Sequence, residues 1–445
     1  MKWIALVAFI ALVPLLYGWL RNNPRHAPYV WSVFAFLPFI SDPLNLNVSP
    51  IVWPMWSGYV TGIEVSLVDA IALAILLSRQ RAGLTVPYVG LWVFFALTTL
   101  LSAAQAATPQ TALFVVWQVL RTMLIAAAAM SICLDTKGPR VLIIGLAVGL
   151  AVNAGFALSQ KFGGALQAGG LYGHQNLAGM VSHFVAMPAL ALFLVDSRQR
   201  FVLLGVGAAI VLAIVGASRG TIGLAGAGYV MLLGLSLLFR PTARKTAIVV
   251  GGLVALALAA PLALSSLNAR FAVNALDETY NEREAMEATA AAMLSDHPMG
   301  VGANHYVIVA NAGGYSERGG VNWFWGSRAA HVHNVYMLTA AESGYLGLVA
   351  FTLLLCVPMI LAYRTAWRFR QDPRSDLMIG YGVALTIVAL HNFYEWIFVT
   401  YQVQQIFAIT VGAIGGLSRR MASDQLARRR QAREARASTR QPMAA

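Results

Sequence analysis

Apolar runs of roughly 20 residues recur along most of the chain, and no other feature constrains its fold as strongly. A helix of about 20 residues crosses the hydrocarbon core of a bilayer. In lipid every backbone polar group needs an internal partner, and these runs lack the alternation of barrel strands. Only 11% of residues are charged, against about 25% in typical soluble domains. The sequence therefore predicts an all-α, polytopic membrane helical bundle.

The apolar runs predict about 12–13 transmembrane helices. The run 29–41 is short and contains Pro38, so it is either re-entrant or part of a longer segment. We expect one integral membrane domain with N-terminal transmembrane helices in 1–264, a large loop with short helices in 265–334, C-terminal transmembrane helices in 335–418 and a basic tail in 419–445. The candidate spans are 3–20, 29–41, 61–78, 86–104, 112–134, 140–160, 175–195, 201–217, 220–239, 246–264, 335–363, 377–396 and 402–418.

Positive charge collects in the short segments that follow pairs of spans, which accounts for much of the net charge of +13 without nucleic acid as a partner. The positive-inside rule places these segments in the cytoplasm and the 265–334 loop in the periplasm of a bacterial inner membrane. The tail is expected to be a frayed helix or disordered, near anionic lipid headgroups. The basic residues are Arg79, Arg81, Lys137, Arg140, Arg198, Arg200, Arg240, Arg244, Lys245, Arg364, Arg368, Arg370 and Arg374, then Arg419 and further arginines as far as Arg440.

Several classes of chemistry find no support in the sequence. Cys133 and Cys356 both lie in apolar runs and are expected to be buried free thiols. The apolar run at 3–20 has no convincing cleavage site after it, so we expect no cleaved signal peptide. No Gly-rich phosphate loop is present, and the cytoplasmic loops are short, so ATP is not the expected energy source.

Polar residues concentrate in the 265–334 loop, where 277–295 is expected to form an amphipathic helix. Six of the eight histidines fall on the predicted periplasmic side, which favours proton-transfer chemistry there. Zinc is the rival interpretation, but His331 and His333 are two residues apart without a metal motif, so we expect no metal and no cofactor. The aromatic run 323–325 is either an interfacial belt or a sugar-stacking platform. The six histidines are His174, His297, His305, His331, His333 and His391.

Two arginines occupy unusual places. Arg219 lies at a predicted periplasmic turn, opposite to the expected cytoplasmic bias, and it either binds an anion or reaches toward lipid headgroups. Arg121 lies in the middle of a span, where a charge is costly. It is either functional or paired with Glu64 or Asp69. Arginine binds phosphate in a bidentate manner, and a nearby histidine can accept a hydroxyl proton. Together these residues predict transfer of an activated group from a lipid-linked diphosphate to an alcohol.

Three segments resemble the O-antigen ligase family of membrane glycosyltransferases. The run 331–347, HVHNVYMLTAAESGYLG, resembles the His-Asn pair and Glu-x-Gly-x-x-Gly pattern that follow the large loop in that family. The segment 295–302, SDHPMGVG, resembles the family's Pro- and Gly-containing loop segment, and 217–220, ASRG, resembles its Ser-Arg-Gly turn. The resemblance covers roughly residues 170–420, and no single motif in it is specific.

The resemblance implies a glycosyltransferase in the inner membrane. Its implied donor is an undecaprenyl-diphosphate-linked glycan, and its implied acceptor is the lipid A core. We expect direct attack by the acceptor hydroxyl, which inverts the anomeric carbon, and arginine charge in place of a metal ion. His333 is implied to be the base, with Arg219 and Arg283 as diphosphate ligands. We expect weaker substrate-binding roles at His331, Asn334, Arg121, His174, Asn176, Glu342, His391 and Glu395. Helix capping is the alternative for His174 and Asn176, and core packing or a mutual hydrogen bond is the default for His391 and Glu395.

Other activities within the same superfamily remain open. An O-antigen or exopolysaccharide polymerase would use the same donor and differ in its acceptor. A protein O-oligosaccharyltransferase is disfavoured by the short basic tail. A lipid-linked glycan transporter would be expected to show inverted repeats and polar groups throughout the membrane depth, and the sequence shows neither.

Overall fold

The computed structural model describes residues 2–79, 86–196, 198–271 and 276–438, and it confirms a polytopic helical bundle. Arg81 and Arg440 lie outside these described residues. The helices are α1 Lys2–Asn22, α2 Ala27–Phe36, α3 Leu67–Ser78, α4 Val89–Ser102, α5 Pro109–Cys133, α6 Gly138–Phe162, α7 Gln175–Val195, α8 Leu203–Gly216, α9 Arg219–Phe239, α10 Ala243–Phe271, α11 Leu276–Asp296, α12 Tyr306–Ala312, α13 Tyr315–Gly319, α14 Trp325–Arg328, α15 Val335–Arg368, α16 Ser375–His391 and α17 Tyr401–Ser438.

Within the described residues, seven helices are long and apolar enough to cross a membrane, namely α1, α5, α6, α7, α9, α10 and α15. Four shorter apolar segments accompany them, at Leu67–Ser78, Val89–Gln105, Arg200–Gly216 and Ser375–His391. The expected span 402–418 is the first part of α17, which continues as a helix through the basic tail to Ser438. The expected loop helix 277–295 corresponds to α11.

Two of the expected spans differ in the structure. The segment 61–78 is not one helix, because Gly62–Ser66 forms strand β2, which pairs antiparallel with β1, Asn47–Val52. Helix α3 begins only after Ser66, where the side chains of Ser66 and Asp69 form a reciprocal capping box. The 29–41 run forms the 10-residue α2 and a short 3-10 turn. A helix of that length rises only about 15 Å, roughly half of the hydrocarbon core.

The core of the bundle lies where α5 packs on α17 and α7 packs on α16. Glycines allow the first pair to come close. A Cβ at Gly412 would lie 2.3 Å from the carbonyl oxygen of Ala126, so no larger residue fits there. In contrast, almost none of the apolar windows of α1 and α10 is buried within the protein, which fits helices that contact lipid.

Basic segments meet at one end of the bundle. Arg420 donates a hydrogen bond to the carbonyl oxygen of Asp135, and Arg374 pairs with Asp372 and Asp424. Lys245 at the start of α10 pairs with buried Asp376 at the start of α16. The polar loop packs at the other end of the bundle, since α16 begins beside Lys245 and ends at His391 in a cleft shared with Arg283 of the loop.

The polar loop is fixed to the bundle at a break in α15. Gly344 has φ +69°, and a Cβ there would lie 2.5 Å from the carbonyl oxygen of Pro298. The amides of Val301 and Gly302 donate to the carbonyl oxygens of Ala341 and Glu342, at 3.0 and 2.9 Å. Glycine is needed at 344 because both the left-handed backbone and the close approach exclude a side chain. The break in α15 therefore fixes the loop to this end of the bundle.

Candidate active site

A cleft of about 510 Å³ lies at the loop end of the bundle, and Arg219, Arg283 and His333 all line it. These three residues come from different elements. Arg219 opens α9, Arg283 lies on loop helix α11, and His333 immediately precedes the capping residue of α15. The remaining lining residues are Asn176, Ser218, Gly220, Gly223, Leu224, Glu284, Glu287, His391, Phe393, Tyr394 and Glu395. The fold therefore brings together the three residues given the strongest roles from the sequence.

Glu395 connects the polar residues of this cleft. Its Oε2 atom lies 3.2 Å from Nδ1 of His333, and its Oε1 atom accepts hydrogen bonds from Nη2 of Arg283 at 3.0 Å and from Nδ2 of Asn176. The second guanidinium nitrogen of Arg283 donates to the carbonyl oxygen of Tyr394 at 2.9 Å. One carboxylate thus holds both the imidazole and a guanidinium in place.

The electrostatics of Glu395 favour its ionised form. Only 3% of its side chain is exposed, and burial alone would raise its pKa. The hydrogen bond from His333 and the positive charge of nearby Arg283 outweigh that effect and lower the pKa below the ordinary value for glutamate. An ionised Glu395 accepts the Nδ1–H of His333, which leaves the lone pair on Nε2 of the imidazole. His333 is therefore set up to accept a proton.

The N-terminus of α9 also faces the cleft. Ala217 ends α8 with φ +45°, and Ser218 caps α9 by accepting a hydrogen bond from the amide of Thr221. Arg219 and Gly220 follow in the first turn and line the cleft. Helix N-termini attract anions because their amides and the helix dipole carry partial positive charge. This end of the cleft can bind an anionic group between the start of α9 and the guanidinium of Arg219.

His174 and Asn176 stand at the start of α7. His174 caps this helix by accepting a hydrogen bond from the amide of Asn176 at 3.3 Å, which was the capping alternative weighed from the sequence. Burial lowers the pKa of His174, and the charge of Glu395 only partly opposes that effect. Asn176 donates its side-chain amide to Glu395 and lines the cleft, so it supports the carboxylate directly.

Asn334 also caps a helix. Its side-chain oxygen accepts hydrogen bonds from the amides of Tyr336 and Met337, at 3.1 and 3.2 Å, and so begins α15. Its Nδ2 donates to Glu287 of α11 at 3.1 Å. The His-Asn pair therefore has divided functions in the structure. His333 faces the cleft, and Asn334 fixes the direction of α15 and ties the loop helix to it.

His331 lies outside the lining of the cleft. It is buried, and its ring packs against those of Tyr59, Tyr306 and Trp396 at centroid distances of 5.6, 6.3 and 4.7 Å. Burial, with a smaller effect from His333, lowers its pKa to about 4. A neutral, enclosed imidazole suits packing between the loop and the bundle.

Glu342 is likewise separate from the cleft. Its buried carboxylate accepts hydrogen bonds from the hydroxyl of Tyr59 at 2.8 Å and from the amide of Tyr306 at 3.0 Å. Burial and the neighbouring carboxylate raise the pKa of Tyr59, so this tyrosine remains a donor. Glu342 therefore connects α15 to Tyr59, which lies between strands β1 and β2, and to Tyr306 of the loop.

Arg121 is buried and paired with both acidic residues considered from the sequence. It contacts Glu64 at 3.0 Å and Asp69 at 2.8 Å, and its guanidinium lies 3.6 Å from the ring centroid of Tyr401. Asp69 also accepts a hydrogen bond from the hydroxyl of Tyr401 at 2.6 Å. Breaking a buried ion pair typically costs about 3–5 kcal/mol. These contacts join β2, α3, α5 and α17, and Arg121 is not among the residues that line the cleft.

His391 and Glu395 form no hydrogen bond with each other in the described part of the chain. The ring of His391 lies 5.3 Å from that of His183, and its Nδ1 has no hydrogen-bond partner among the described residues. His391 also lines the cleft. Glu395 has a more central place than its weak sequence ranking predicted, because it contacts His333, Arg283 and Asn176.

Sequence reasoning did not single out Glu284 and Glu287 as site residues, although both line the cleft. Glu287 is four residues after Arg283 on the predicted helix, so helical spacing could have placed them on one face. The aromatic run 323–325 is exposed at 79%, 72% and 81%, and Arg328 lies over the ring of Trp323 at 4.1 Å. Both interpretations of that run therefore stay open.

The sequence profile of a family described as O-Antigen ligase matches residues 183–352. The matched segment contains Arg219, Arg283 and His333 and ends before Glu395. No curated protein matches the chain.

Proposed function

We propose that this chain, whose residues 183–352 match the O-antigen ligase family, transfers a polysaccharide from undecaprenyl diphosphate to a lipid A core sugar. The reaction takes place on the periplasmic face of the bacterial inner membrane and completes lipopolysaccharide. The observation that carries this proposal is the single cleft that holds Arg219, Arg283 and His333. Two guanidinium groups can bind a diphosphate through charge-assisted hydrogen bonds, and one imidazole can accept a hydroxyl proton.

The donor diphosphate binds between the start of α9 and α11. Arg219 and the amides at the N-terminus of α9 contact one part of the diphosphate, and Arg283 contacts it from the loop helix. Glu395 fixes the guanidinium of Arg283 through a hydrogen bond of 3.0 Å, while Arg283 retains N–H groups for the ligand. The polyprenyl chain remains in the membrane, beside the bundle.

His333 acts as the general base. Nε2 of its imidazole accepts the proton of the acceptor hydroxyl while the hydroxyl oxygen attacks the anomeric carbon. The new glycosidic bond forms as the bond from the anomeric carbon to the diphosphate oxygen breaks, so configuration at that carbon inverts. Undecaprenyl diphosphate leaves with the additional negative charge, which Arg219 and Arg283 stabilise. The proton then passes from His333 to solvent.

The orientation in the membrane follows from the charge of the bundle ends. Arg374, Arg420 and Lys245 lie at the end opposite the cleft. Short basic segments stay in the cytoplasm during membrane insertion, so the cleft faces the periplasm.

Reconstitution tests the reaction and its acceptor together. Purified protein in vesicles is supplied with an undecaprenyl-diphosphate glycan and either a lipid A core acceptor or a second lipid-linked repeat. A product joined to lipid A core, with the anomeric configuration inverted, supports the ligase. Elongation of the lipid-linked repeat alone would identify a polymerase instead. No transfer to either acceptor, with the donor bound, would contradict glycosyl transfer.

A further inference from the structure

A second large cavity lies at the basic end of the bundle, far from the cleft. Its volume is about 970 Å³, within the range of roughly 300–1,000 Å³ that is usual for ligand sites. Residues of α9, α15 and α17 and the chain leading into α4 line it. Leu235 and Phe239 contribute apolar walls, and Arg364, Arg368 and Arg419 also line the cavity. Apolar walls and positive charge thus occur in one space.

Three arginines line this cavity without an acidic partner among the described residues. In the part of the chain that the structure describes, no carboxylate forms a salt bridge with Arg364, Arg368 or Arg419. Neighbouring Arg374 differs, since Asp372 and Asp424 both bind it. Three arginines that are exposed and not neutralised by protein therefore surround the cavity, and their charge complements an anion.

Hydroxyl groups extend the polar side of the cavity. The buried hydroxyl of Tyr88 has no hydrogen-bond partner among the described residues. Thr365 and Ser418 also line the cavity, and their hydroxyl groups lie 3.0 Å apart. A buried hydroxyl without a partner is costly unless a ligand or water satisfies it.

The arginines and the apolar residues of the cavity are spaced along the helices as the headgroup and acyl chains of one lipid would be. Leu361 lines the cavity seven residues before Arg368 on α15, a rise of roughly 10 Å along the helix toward the membrane interior. A ligand here would therefore place a negative headgroup among the arginines and an apolar chain against Leu361 and Phe239. Basic pockets between helices at the cytoplasmic face are known to bind acidic lipid headgroups.

We propose that this cavity, lined by Tyr88, Phe239, Arg364, Arg368 and Arg419, is a binding site for one anionic diacyl phospholipid. Arg364 and Arg419 bind the phosphate, and the acyl chains cover the apolar wall between α9 and α15. The bound lipid joins these two helices to α17 at the basic end. The site is independent of the proposed glycosyl transfer, which takes place at the other end of the bundle.

Lipid binding to the full chain, freed of lipid in a neutral detergent, tests this proposal. Phosphatidylglycerol is titrated while native mass spectrometry counts bound lipid and the midpoint of thermal unfolding is recorded. Phosphatidylcholine with the same acyl chains, undecaprenyl phosphate and inorganic phosphate are the comparison ligands. We expect one tight phosphatidylglycerol site that raises the unfolding midpoint, and no comparable site for the other three.

Substitutions then locate the site. In Arg364→Gln/Arg419→Gln, affinity for phosphatidylglycerol should fall about tenfold or more, because two charge-assisted hydrogen bonds to the phosphate are lost. Ala422→Phe should also weaken binding by filling the cavity without removing charge, since Ala422 lines it. Arg140→Gln, which removes an exposed charge outside the cavity, should bind as the unaltered protein does.

Three results would overturn the proposal. Equal binding of phosphatidylglycerol and phosphatidylcholine would remove the requirement for a negative headgroup, and this comparison needs no variant. Unchanged affinity in both cavity variants would place the lipid elsewhere. Binding of undecaprenyl phosphate without binding of phosphatidylglycerol would assign the cavity to a polyprenyl lipid.

Discussion

Nδ1 of His333 lies 3.2 Å from Oε2 of Glu395, and the other oxygen of the same carboxylate lies 3.0 Å from Nη2 of Arg283. Glu395 comes 62 residues after His333 and 112 after Arg283. Through it, the proposed base and a proposed diphosphate ligand share one anchor. The position of the imidazole therefore depends on the carboxylate as a positioning residue, as it does in other carboxylate–histidine pairs.

Glu395→Gln tests this dependence. Loss of the charge should lower kcat by about 100-fold or more, since a misoriented base forfeits much of its contribution. In a His333→Ala background the same change should lower kcat no further, because Glu395 acts only by positioning the imidazole that is already absent. Glu284→Gln, which changes another carboxylate of the cleft, is the matched control. Independent, multiplicative effects of Glu395→Gln and His333→Ala would show that Glu395 does not act through His333.

Arg219→Lys and Arg283→Lys keep the positive charge but remove the planar guanidinium group, which can donate two parallel hydrogen bonds to a phosphate. Each should lower kcat/KM by about 10- to 100-fold, the equivalent of one lost charge-assisted hydrogen bond. Arg318→Lys, at an exposed loop arginine paired with Asp296, should leave the rate unchanged. Steady-state kinetics with a lipid-linked donor give the comparison. Near-normal rates in both variants would refute the assignment of these arginines to the diphosphate.

His331 should make the protein sensitive to acid through its buried, neutral ring. Its pKa is about 4 in the folded protein, against an ordinary 6.5. Between these values the unfolded chain binds more protons, so stability falls as pH decreases from 6.5 to 4. At pH 5 the loss is about 2 kcal/mol for this group. His331→Phe should reduce the drop in unfolding midpoint between pH 7 and pH 5, and an identical drop in both proteins would argue against it.

Cysteine labelling tests the orientation of the bundle. In a background with Cys133→Ala and Cys356→Ala, a cysteine at exposed Asn322 should react with an impermeant thiol reagent in intact spheroplasts. A cysteine at exposed Ser423, at the basic end of α17, should react only after lysis. The expected difference arises because positive segments remain in the cytoplasm. The reverse pattern would place the cleft in the cytoplasm and exclude a periplasmic acceptor.

The sequence predicts much of the helical framework, because the length of each apolar run and the turn residues at its ends determine where a helix starts and stops. The position of Arg219 at a helix start follows from the Ala-Ser-Arg-Gly turn between two apolar runs. Strand β2 is the exception, since apolar Ile63 and Val65 extend the hydropathy of the following helix. The capping box of Ser66 and Asp69 was the local signal that the helix starts later.

The composition of the site depends on packing that no local pattern encodes. Asn176 and Glu395 are 219 residues apart, and they meet only because α7 packs against α16. Glu395 follows α16 in a short irregular segment, where nothing in the sequence distinguishes a site residue from a packed one. His331 and His333 share one motif, yet their side chains lie in an aromatic cluster and in the cleft, respectively.

The rate of glycan transfer by His333→Ala, measured beside the unaltered protein in vesicles containing EDTA, tests the central claim most directly. The account predicts full transfer by the unaltered protein under chelation. It predicts transfer by His333→Ala at about one hundredth of that rate or less, with donor binding and the unfolding midpoint retained. Comparable transfer by both proteins would contradict the role of His333 as base. Loss of transfer by the unaltered protein under EDTA, restored by a divalent ion, would contradict the metal-independent mechanism.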